Sequence, residues 1–207
     1  MKMKRLGSSA VEVSRLGLGT MTWGRDTDEH EAAEQLRHFL DAGGNLIDTA
    51  ASYGDGDSER VIGGFLGTLV DRDSLIISSK AGVSRNAERR VNNTRSSLLN
   101  DLDATLQRLG IEYLDLWQVH TWDSETPLEE TLLALDYAVS SGRVRYVGLS
   151  NFSGWQMARA ATLQNPIFAK APISSNQIEY SLLNRSAESE VLPAADSLGI
   201  GVLAWSP

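Results

Sequence analysis

The feature that most constrains the fold is an alternation that runs through nearly the whole chain. From about residue 16 onward, short apolar segments typical of strands alternate with longer amphipathic segments typical of helices. Strands that alternate with helices form βαβ units and a parallel sheet, whose crossovers are right-handed. The predicted strands cover 16–21, 45–50, 74–79, 113–119, 144–149, 174–178 and 200–205, and the predicted helices cover about 28–42, 58–66, 93–109, 127–140, 153–164 and 186–198.

Two architectures accommodate this alternation: a doubly wound open sheet and a (β/α)8 TIM barrel. Gly17 and Gly19 are followed by Thr-Met-Thr-Trp, so the G-x-G-x-x-G fingerprint of dinucleotide-binding open sheets is missing. Uninterrupted βα repetition favours the barrel, which closes with eight strands. We therefore expect one α/β barrel domain over 1–207 that lacks about its last helix, strand and helix. Strand candidates at 2–6 and 11–15 predict an additional N-terminal hairpin.

Composition excludes several classes of protein. The 27 acidic residues exceed the 19 Lys and Arg, which gives a formal charge of -8 and no basic footprint for nucleic acid or an anionic membrane. Without cysteine, the chain cannot form disulfides or a Cys-based zinc site, and its three histidines could ligate a metal only together with carboxylates. No secretory leader or apolar run of about 18 residues is present. We therefore expect a cytoplasmic protein without a metal.

Four polar side chains follow neighbouring predicted strands, at the ends where parallel barrels place their chemistry. Asp48 ends the second strand, Tyr53 follows five residues later, Lys80 ends the third strand and His120 ends the fourth. Each of them alone has an ordinary structural explanation as a helix cap, a packing residue, an ion-pair partner or a core residue. Because the strands are adjacent, however, all four can meet at one point, and such a set is much rarer.

Their combined chemistry suits proton donation to a carbonyl group. A phenol with its ordinary pKa of about 10 is a poor acid at neutral pH, but a nearby ammonium group stabilises the phenolate. Lys80 can supply that charge to Tyr53, and Asp48 can keep Lys80 charged and oriented. A side-chain N–H of His120 can donate a hydrogen bond to the carbonyl oxygen. The missing hydride would come from a bound cofactor.

The last three predicted strands end in residues that suit a cofactor pocket. Ser150, Asn151 and Gln177 offer donors and acceptors for a carboxamide, and Trp205 offers a flat face for a ring. Each alone is explained equally well as a loop cap or a rim aromatic residue, but together they predict one binding surface.

These residues resemble those of the aldo-keto reductase family along the whole chain. GGNLIDTAASYGDGDSERVIG (43–63) is similar to the first family signature, YVGLSNF (146–152) is similar to the second, and SSK and QVH match the family lysine and histidine. NQIEYSLLNR and LAWSP resemble the branch that contains potassium-channel β-subunits and bacterial aldo/keto reductases. The resemblance implies a (β/α)8 barrel with a hairpin at its bottom, NADPH bound across its top, and reduction of aldehydes or ketones.

The resemblance also implies a role for each residue. Tyr53 would be the general acid, Lys80 and Asp48 would tune it, and His120 would orient the carbonyl. Trp23 and Trp122 would line the substrate mouth. The choice of NADPH over NADH is implied by the family alone. The implied cofactor-binding residues are Gly19, Thr20, Met21, Asp48, Ser150, Asn151, Gln177, Trp205, Ser206 and Pro207.

The family pattern continues beyond the final Trp-Ser-Pro with a loop over the pyrophosphate and a basic segment that holds the 2′-phosphate. We therefore expect residues 1–207 alone to bind NADPH weakly. Three alternatives stay open: a regulatory module that holds the cofactor for a partner, an aldolase that forms a Schiff base on Lys80, and a truncated, inactive chain. Aldehyde turnover tests the first, borohydride trapping the second and the intact mass the third.

Overall fold

The computed structural model describes residues 1–164 and 170–207, and its strands alternate with helices along the chain. Strands β1 (Met3–Arg5) and β2 (Glu12–Ser14) pair antiparallel as the predicted N-terminal hairpin. The parallel strands are β3 (Leu18–Gly19), β4 (Leu46–Asp48), β5 (Ile76–Ala81), β6 (Leu114–Val119), β7 (Val144–Ser150), β8 (Ile173–Glu179) and β9 (Gly201–Trp205). The helices are α1 (Glu29–Asp41), α2 (Asp57–Phe65), α3 (Arg95–Leu109), α4 (Leu128–Ser140), α5 (Gly154–Leu163) and α6 (Val191–Leu198).

The seven parallel strands follow one another across the sheet in chain order, from β3 to β9. The sheet curls into a partial barrel with the helices outside, which confirms the predicted α/β barrel class. Within the described residues, β3 and β9 are the two edges of this sheet. Register places Lys80 of β5 level with Gln118 of β6, and Ser150 of β7 level with Gln177 of β8. The carboxyl ends of the strands therefore bring the polar residues to one end of the barrel.

Helix ends follow local chemistry. Asp28 caps α1, because its side chain accepts a hydrogen bond from the backbone N–H of Glu31 at 2.9 Å. Ser153 and Gln156 form a reciprocal capping box at the start of α5. The apolar faces of the helices pack on the outside of the sheet, where Leu98, Leu102, Leu135 and Met157 are fully buried.

Two predicted boundaries are wrong. The first parallel strand was expected over 16–21, but β3 has only two residues because the chain before it is exposed and makes no ladder with β4. The last helix was expected from about residue 186, but a single 3-10 turn forms at Ser186–Glu188 and α6 begins at Val191. Pro193 favours this later start, because proline has no N–H to donate and suits the first helical turn.

The hairpin lies against the amino-terminal ends of the strands. Leu6 and Val13 pack with Leu46 and Leu116 in a small apolar cluster separate from the main core. The backbone N–H of Ser8 donates to the carbonyl of Gly199 at 2.8 Å. The hairpin thus covers the bottom of the barrel, as expected. None of the helices that the structure describes has the length and apolarity that a bilayer crossing requires.

Candidate active site

Three of the predicted acid–base residues meet at the carboxyl ends of β4 and β5. Lys80 lies inside β5, rather than just after it, and its ammonium nitrogen Nζ is completely buried. Nζ is 2.7 Å from Asp48 Oδ2, 2.9 Å from the carbonyl oxygen of Thr49 and 3.4 Å from the hydroxyl oxygen of Tyr53. The ammonium group therefore donates to one carboxylate, one backbone carbonyl and one phenol.

The neighbours of Lys80 stabilise its charged form although the side chain is buried. Burial opposes the charged form, but the carboxylate of Asp48 and the hydroxyl of Tyr53 outweigh it and raise the pKa of Lys80 above its ordinary value. Lys80 is therefore an ammonium group at neutral pH, directed at the phenol.

Asp48 is oriented by donors from two other strands. Its second oxygen, Oδ1, accepts hydrogen bonds from Gln177 Nε2 at 2.9 Å and from Ser78 Oγ at 3.2 Å. Gln118 Nε2 donates in turn to Ser78 Oγ at 3.0 Å. The carboxylate is thus fixed from β5 and β8, and it presents its other oxygen to Lys80.

His120 follows β6 and completes the set. Its ring lies 6.0 Å from the ring of Tyr53, centroid to centroid, in an edge-on arrangement. Burial, the positive charge of Lys80 and, to a smaller extent, that of Arg85 lower the pKa of His120 from 6.5 to about 4, although Asp48 opposes the shift. The imidazole is therefore neutral at pH 7 and carries one N–H. Within the described residues, its buried Nδ1 has no hydrogen-bond partner.

The loop that carries Tyr53 is fixed by a buried hydroxyl cluster. Ser58, in the first turn of α2, donates to the carbonyl of Thr20 at 2.8 Å. Its Oγ also lies 2.7 Å from the hydroxyl of Thr20 and 2.9 Å from that of Thr49. The cluster joins the segments after β3 and β4 to the start of α2. Sequence analysis did not identify it, because serine and threonine give no distinctive pattern.

Asn151 ties together the loops on the other side of the site. It adopts a left-handed backbone conformation with φ of 57°, which asparagine tolerates better than most residues. Its backbone N–H donates to the carbonyl of Gln177 at 2.8 Å, and its side-chain Nδ2 donates to the carbonyl of His120 at 3.0 Å. Its Oδ1 accepts from Trp205 Nε1 at 3.0 Å. One residue therefore links the ends of β6, β8 and β9.

One cavity of about 810 Å³ gathers most of the predicted site residues. Its size falls within the range typical of pockets for small molecules and cofactors. Residues from both edges of the sheet line it, and Lys80 lies behind Asp48 and Tyr53. The predicted residues that line it are Gly19, Thr20, Met21, Asp48, Tyr53, His120, Ser150, Asn151, Gln177, Trp205, Ser206 and Pro207.

The two tryptophans expected at the substrate mouth are placed differently. Trp23 is 1% exposed in the main core, where its indole N–H donates to Gln35 Oε1 at 2.8 Å and its ring packs against Phe65. The expectation for Trp23 is therefore wrong, since the turn after β3 folds this side chain inward. Trp122 packs edge-on against Phe152 and Trp155, and it is not among the described residues that line the cavity.

Three cationic residues at the cavity escaped the sequence analysis, and one of them, Arg15, precedes β3. Arg85 and Arg90 line the cavity from the loop between β5 and α3. In the sequence they belong to a polar run with no recognisable spacing, so only the folded loop identifies them. Among the described residues, no group of three or more His, Asp or Glu side chains is arranged to hold a metal ion.

Parallel strands that curl into a partial barrel, with an acid–base set at their carboxyl ends, define a protein of the TIM-barrel class. The model of the Aldo/keto reductase family matches residues 15–207, and the chain belongs to that family.

Characterised and uncharacterised relatives agree with this assignment. The chain is similar to an uncharacterized oxidoreductase, YrpG, of Bacillus subtilis, with 38% identity over 100% of the chain and 66% of YrpG. It is 34% identical to the aldo-keto reductase YhdN of Bacillus subtilis, over 99% of the chain and 61% of YhdN. A probable voltage-gated potassium channel subunit beta of Oryza sativa is 33% identical, over 100% of the chain and 64% of the subunit. The chain thus spans less than two thirds of the length of these relatives, which confirm the predicted branch of the family.

Proposed function

We propose that the protein reduces aldehydes or ketones to alcohols with NADPH, and that Tyr53 is the general acid. The observation that carries the proposal is the buried ammonium group of Lys80, held by Asp48 at 2.7 Å and directed at the Tyr53 hydroxyl at 3.4 Å. A carbonyl compound in the cavity would meet that hydroxyl beside the neutral imidazole of His120.

The residues at the ends of β7, β8 and β9 fit a nicotinamide group. Ser150, Asn151 and Gln177 present hydroxyl and amide groups to the same cavity as Tyr53, and Trp205 presents an indole that is 37% exposed. Gly19, at the end of β3, lines the same cavity and leaves open space there, since an added methyl group would meet no atom within 4 Å. When bound, the cofactor supplies the hydride for the carbonyl carbon. The preference for NADPH over NADH rests on the family alone.

The protein residues supply and balance the proton. Tyr53 donates its hydroxyl proton to the carbonyl oxygen, and the ammonium group of Lys80 stabilises the phenolate that remains. Asp48 keeps Lys80 charged, and its own position is set by Gln177 and Ser78. The N–H of neutral His120 orients the carbonyl oxygen and stabilises the negative charge that develops on it.

Replacing Tyr53 by phenylalanine tests the proposal in the full protein. Tyr53→Phe removes the only proton of the proposed acid while leaving the ring in place, so we expect carbonyl reduction to be lost and NADPH binding to be retained. The measurements are aldehyde-dependent loss of NADPH absorbance and calorimetric titration of the cofactor. Tyr113→Phe, next to the amino-terminal end of β6, is the matched control and keeps its activity. Reduction by Tyr53→Phe above about a tenth of the wild-type rate, a barrier change of about 1.4 kcal/mol, would make another group the acid.

The alternatives differ in what they require of the same residues. A Schiff-base lysine needs a lowered pKa and a desolvated neutral amine, whereas burial against Asp48 and Tyr53 leaves Lys80 with a raised pKa. A regulatory module of the kind suggested by the similarity to a channel subunit would bind NADPH without turnover. Activity of the unaltered protein on a panel of aldehydes separates that module from a reductase.

A further inference from the structure

The loop between β5 and α3 forms a narrow hairpin beside the cavity. Val83 and Val91 pair across it as an antiparallel bridge, and the backbone N–H of Ser84 donates to the carbonyl of Arg90 at 2.9 Å. This pairing places Arg85 on one side of the hairpin and Arg90 on the other. We call residues 83–91 the arginine hairpin.

Two side-chain anchors fix the arginine hairpin to the site. Asn86 Nδ2 donates to Asp55 Oδ2 at 2.8 Å, in the loop that carries Tyr53. Arg89 donates from its guanidinium group to Asp123 Oδ2 at 2.7 Å and to Thr126 Oγ1 at 2.9 Å, in the loop after β6. The hairpin is therefore held between the loops that carry Tyr53 and His120, and its position does not depend on Arg85 or Arg90.

Arg85 and Arg90 are the two cations of the hairpin that these anchors do not use. Both are exposed and line the cavity. Within the described part of the chain, neither makes a salt bridge or donates a side-chain hydrogen bond. The charge of Arg85 also reaches His120, where it contributes to the lowered pKa of the imidazole. Two guanidinium side chains thus line the cavity without a partner among the residues that the structure describes.

The cavity is positive in a protein that is strongly acidic overall. The charged residues among those that line it are Arg15, Arg85, Arg90 and Asp48, and Asp48 is already paired with Lys80. The whole chain has a formal charge of -8. A local positive potential against that background attracts an anion and increases its rate of association.

We propose that Arg85 and Arg90 bind an anionic group of the substrate, so that the preferred substrates are aldehydes or ketones that carry a carboxylate. This inference rests on the proposed reductase function and deepens it. Guanidinium groups bind carboxylates with paired, charge-assisted hydrogen bonds. Most of the cofactor candidates lie at or just after the ends of β7, β8 and β9, and the others lie at β3 and β4. The arginine hairpin instead follows β5 and is bound to the loop after His120, in the part of the cavity that these candidates leave to the substrate.

A pair of matched aldehydes tests the assignment in the full protein. 4-Carboxybenzaldehyde carries the anion, and methyl 4-formylbenzoate is its neutral counterpart. In the unaltered protein we expect kcat/KM to be higher for the carboxylate than for the ester. The ratio of the two kcat/KM values declines as salt is added, because salt screens the attraction. In Arg85→Ala/Arg90→Ala we expect that ratio to fall at least tenfold, mainly through KM. Arg143→Ala/Arg145→Ala removes the same charge at the other end of the barrel, at the start of β7, and keeps the ratio.

Binding measurements separate the possible outcomes. If the arginines hold the phosphates of NADPH instead, the double variant weakens calorimetric NADPH binding and slows both aldehydes equally, which overturns the proposal. An unchanged substrate ratio also overturns it. If the unaltered protein reduces neither aldehyde, the proposed reductase function fails separately. Calorimetric titration of 4-carboxybenzyl alcohol then still tests the arginines, since its affinity must fall at least tenfold in the double variant.

Discussion

At the scale of single residues, burial and charge set opposite protonation states on neighbouring groups. Lys80 stays charged although it is completely buried, because Asp48 pairs with it. His120 is driven to the neutral form by burial and by the same lysine. One buried positive charge therefore lies within hydrogen-bond distance of the phenol and also favours the neutral form of the imidazole.

His120 makes stability depend on pH in a defined window. The unfolded chain protonates this histidine below its ordinary pKa of 6.5, while the folded protein resists protonation until about pH 4. The contribution of neutral His120 to the free energy of unfolding is therefore fully present above pH 6.5, and it is lost as the pH falls toward 4. We expect the wild type to lose about 2 kcal/mol more than His120→Asn between pH 7.5 and 5, since one pKa unit corresponds to about 1.4 kcal/mol. Urea unfolding of both proteins across this range measures the difference, and parallel pH curves would show that His120 does not titrate this way.

At the scale of elements, α2 is held against α3 by a close backbone approach and a buried ion pair. Glu59 is fully buried, and its two oxygens accept hydrogen bonds from Ser79 and Arg108, each at 2.6 Å. At Gly63 an added methyl group would lie 2.6 Å from the carbonyl oxygen of Arg108, whereas at Gly64 it would meet no atom within 4 Å. Two adjacent glycines in α2 thus have different structural roles.

These glycines give a matched pair of substitutions. Gly63→Ala forces α2 away from the backbone at the end of α3, so we expect it to lower the free energy of unfolding by about 1–3 kcal/mol. Gly64→Ala places its methyl group in open space and improves helix propensity, so we expect a gain of up to about 1 kcal/mol. Urea unfolding of the two variants measures both effects. Equal changes in the two proteins would contradict the close approach of α2 and α3.

The elements themselves were largely predictable, because alternating strands and helices leave a strong periodic pattern. The acid–base residues were predictable because they stand at strand ends, so the topology alone places Asp48 and His120 at the same end of the barrel. The position of Trp23 was not predictable, since its indole faces the core only because of the turn after β3 and the partner at Gln35. Arg85 and Arg90 also required the structure, because the hairpin that positions them is anchored by contacts distant in sequence.

At the scale of the whole molecule, the interior of the curled sheet is polar toward the carboxyl ends of its strands, whereas the outside is apolar. Ser78, Gln118 and Ser175 are completely buried there. Gln118 donates from Nε2 to Ser78 Oγ at 3.0 Å, and its Oε1 accepts a hydrogen bond from Ser175 Oγ at 3.3 Å. The chain therefore fills this part of the curled sheet with polar side chains that support Asp48, and its second apolar cluster, with Leu46 and Leu116, lies toward the hairpin.

The amino-acid composition predicts that the proposed reductase activity needs no metal ion. The chain has no cysteine, and the described residues offer no cluster of three potential ligands, whereas a zinc site requires about three or four. We expect the carbonyl reductase activity to survive dialysis against EDTA without change. Activity assays before dialysis, after it and after addition of Zn²⁺ or Mg²⁺ check this. Loss on chelation that a divalent ion restores would contradict it.

The contact between the N-terminal hairpin and the last strand has a consequence for biosynthesis. The backbone N–H of Ser8 donates to the carbonyl of Gly199, so this segment binds one that is synthesised much later, near residue 200. At about 5–20 residues per second, about 10–40 s pass between the two. During that interval Leu6 and Val13, which are buried in the finished protein, have no complete surface to pack on. Leu6 and Val13 therefore leave the ribosome long before the segment that completes their shelter from water.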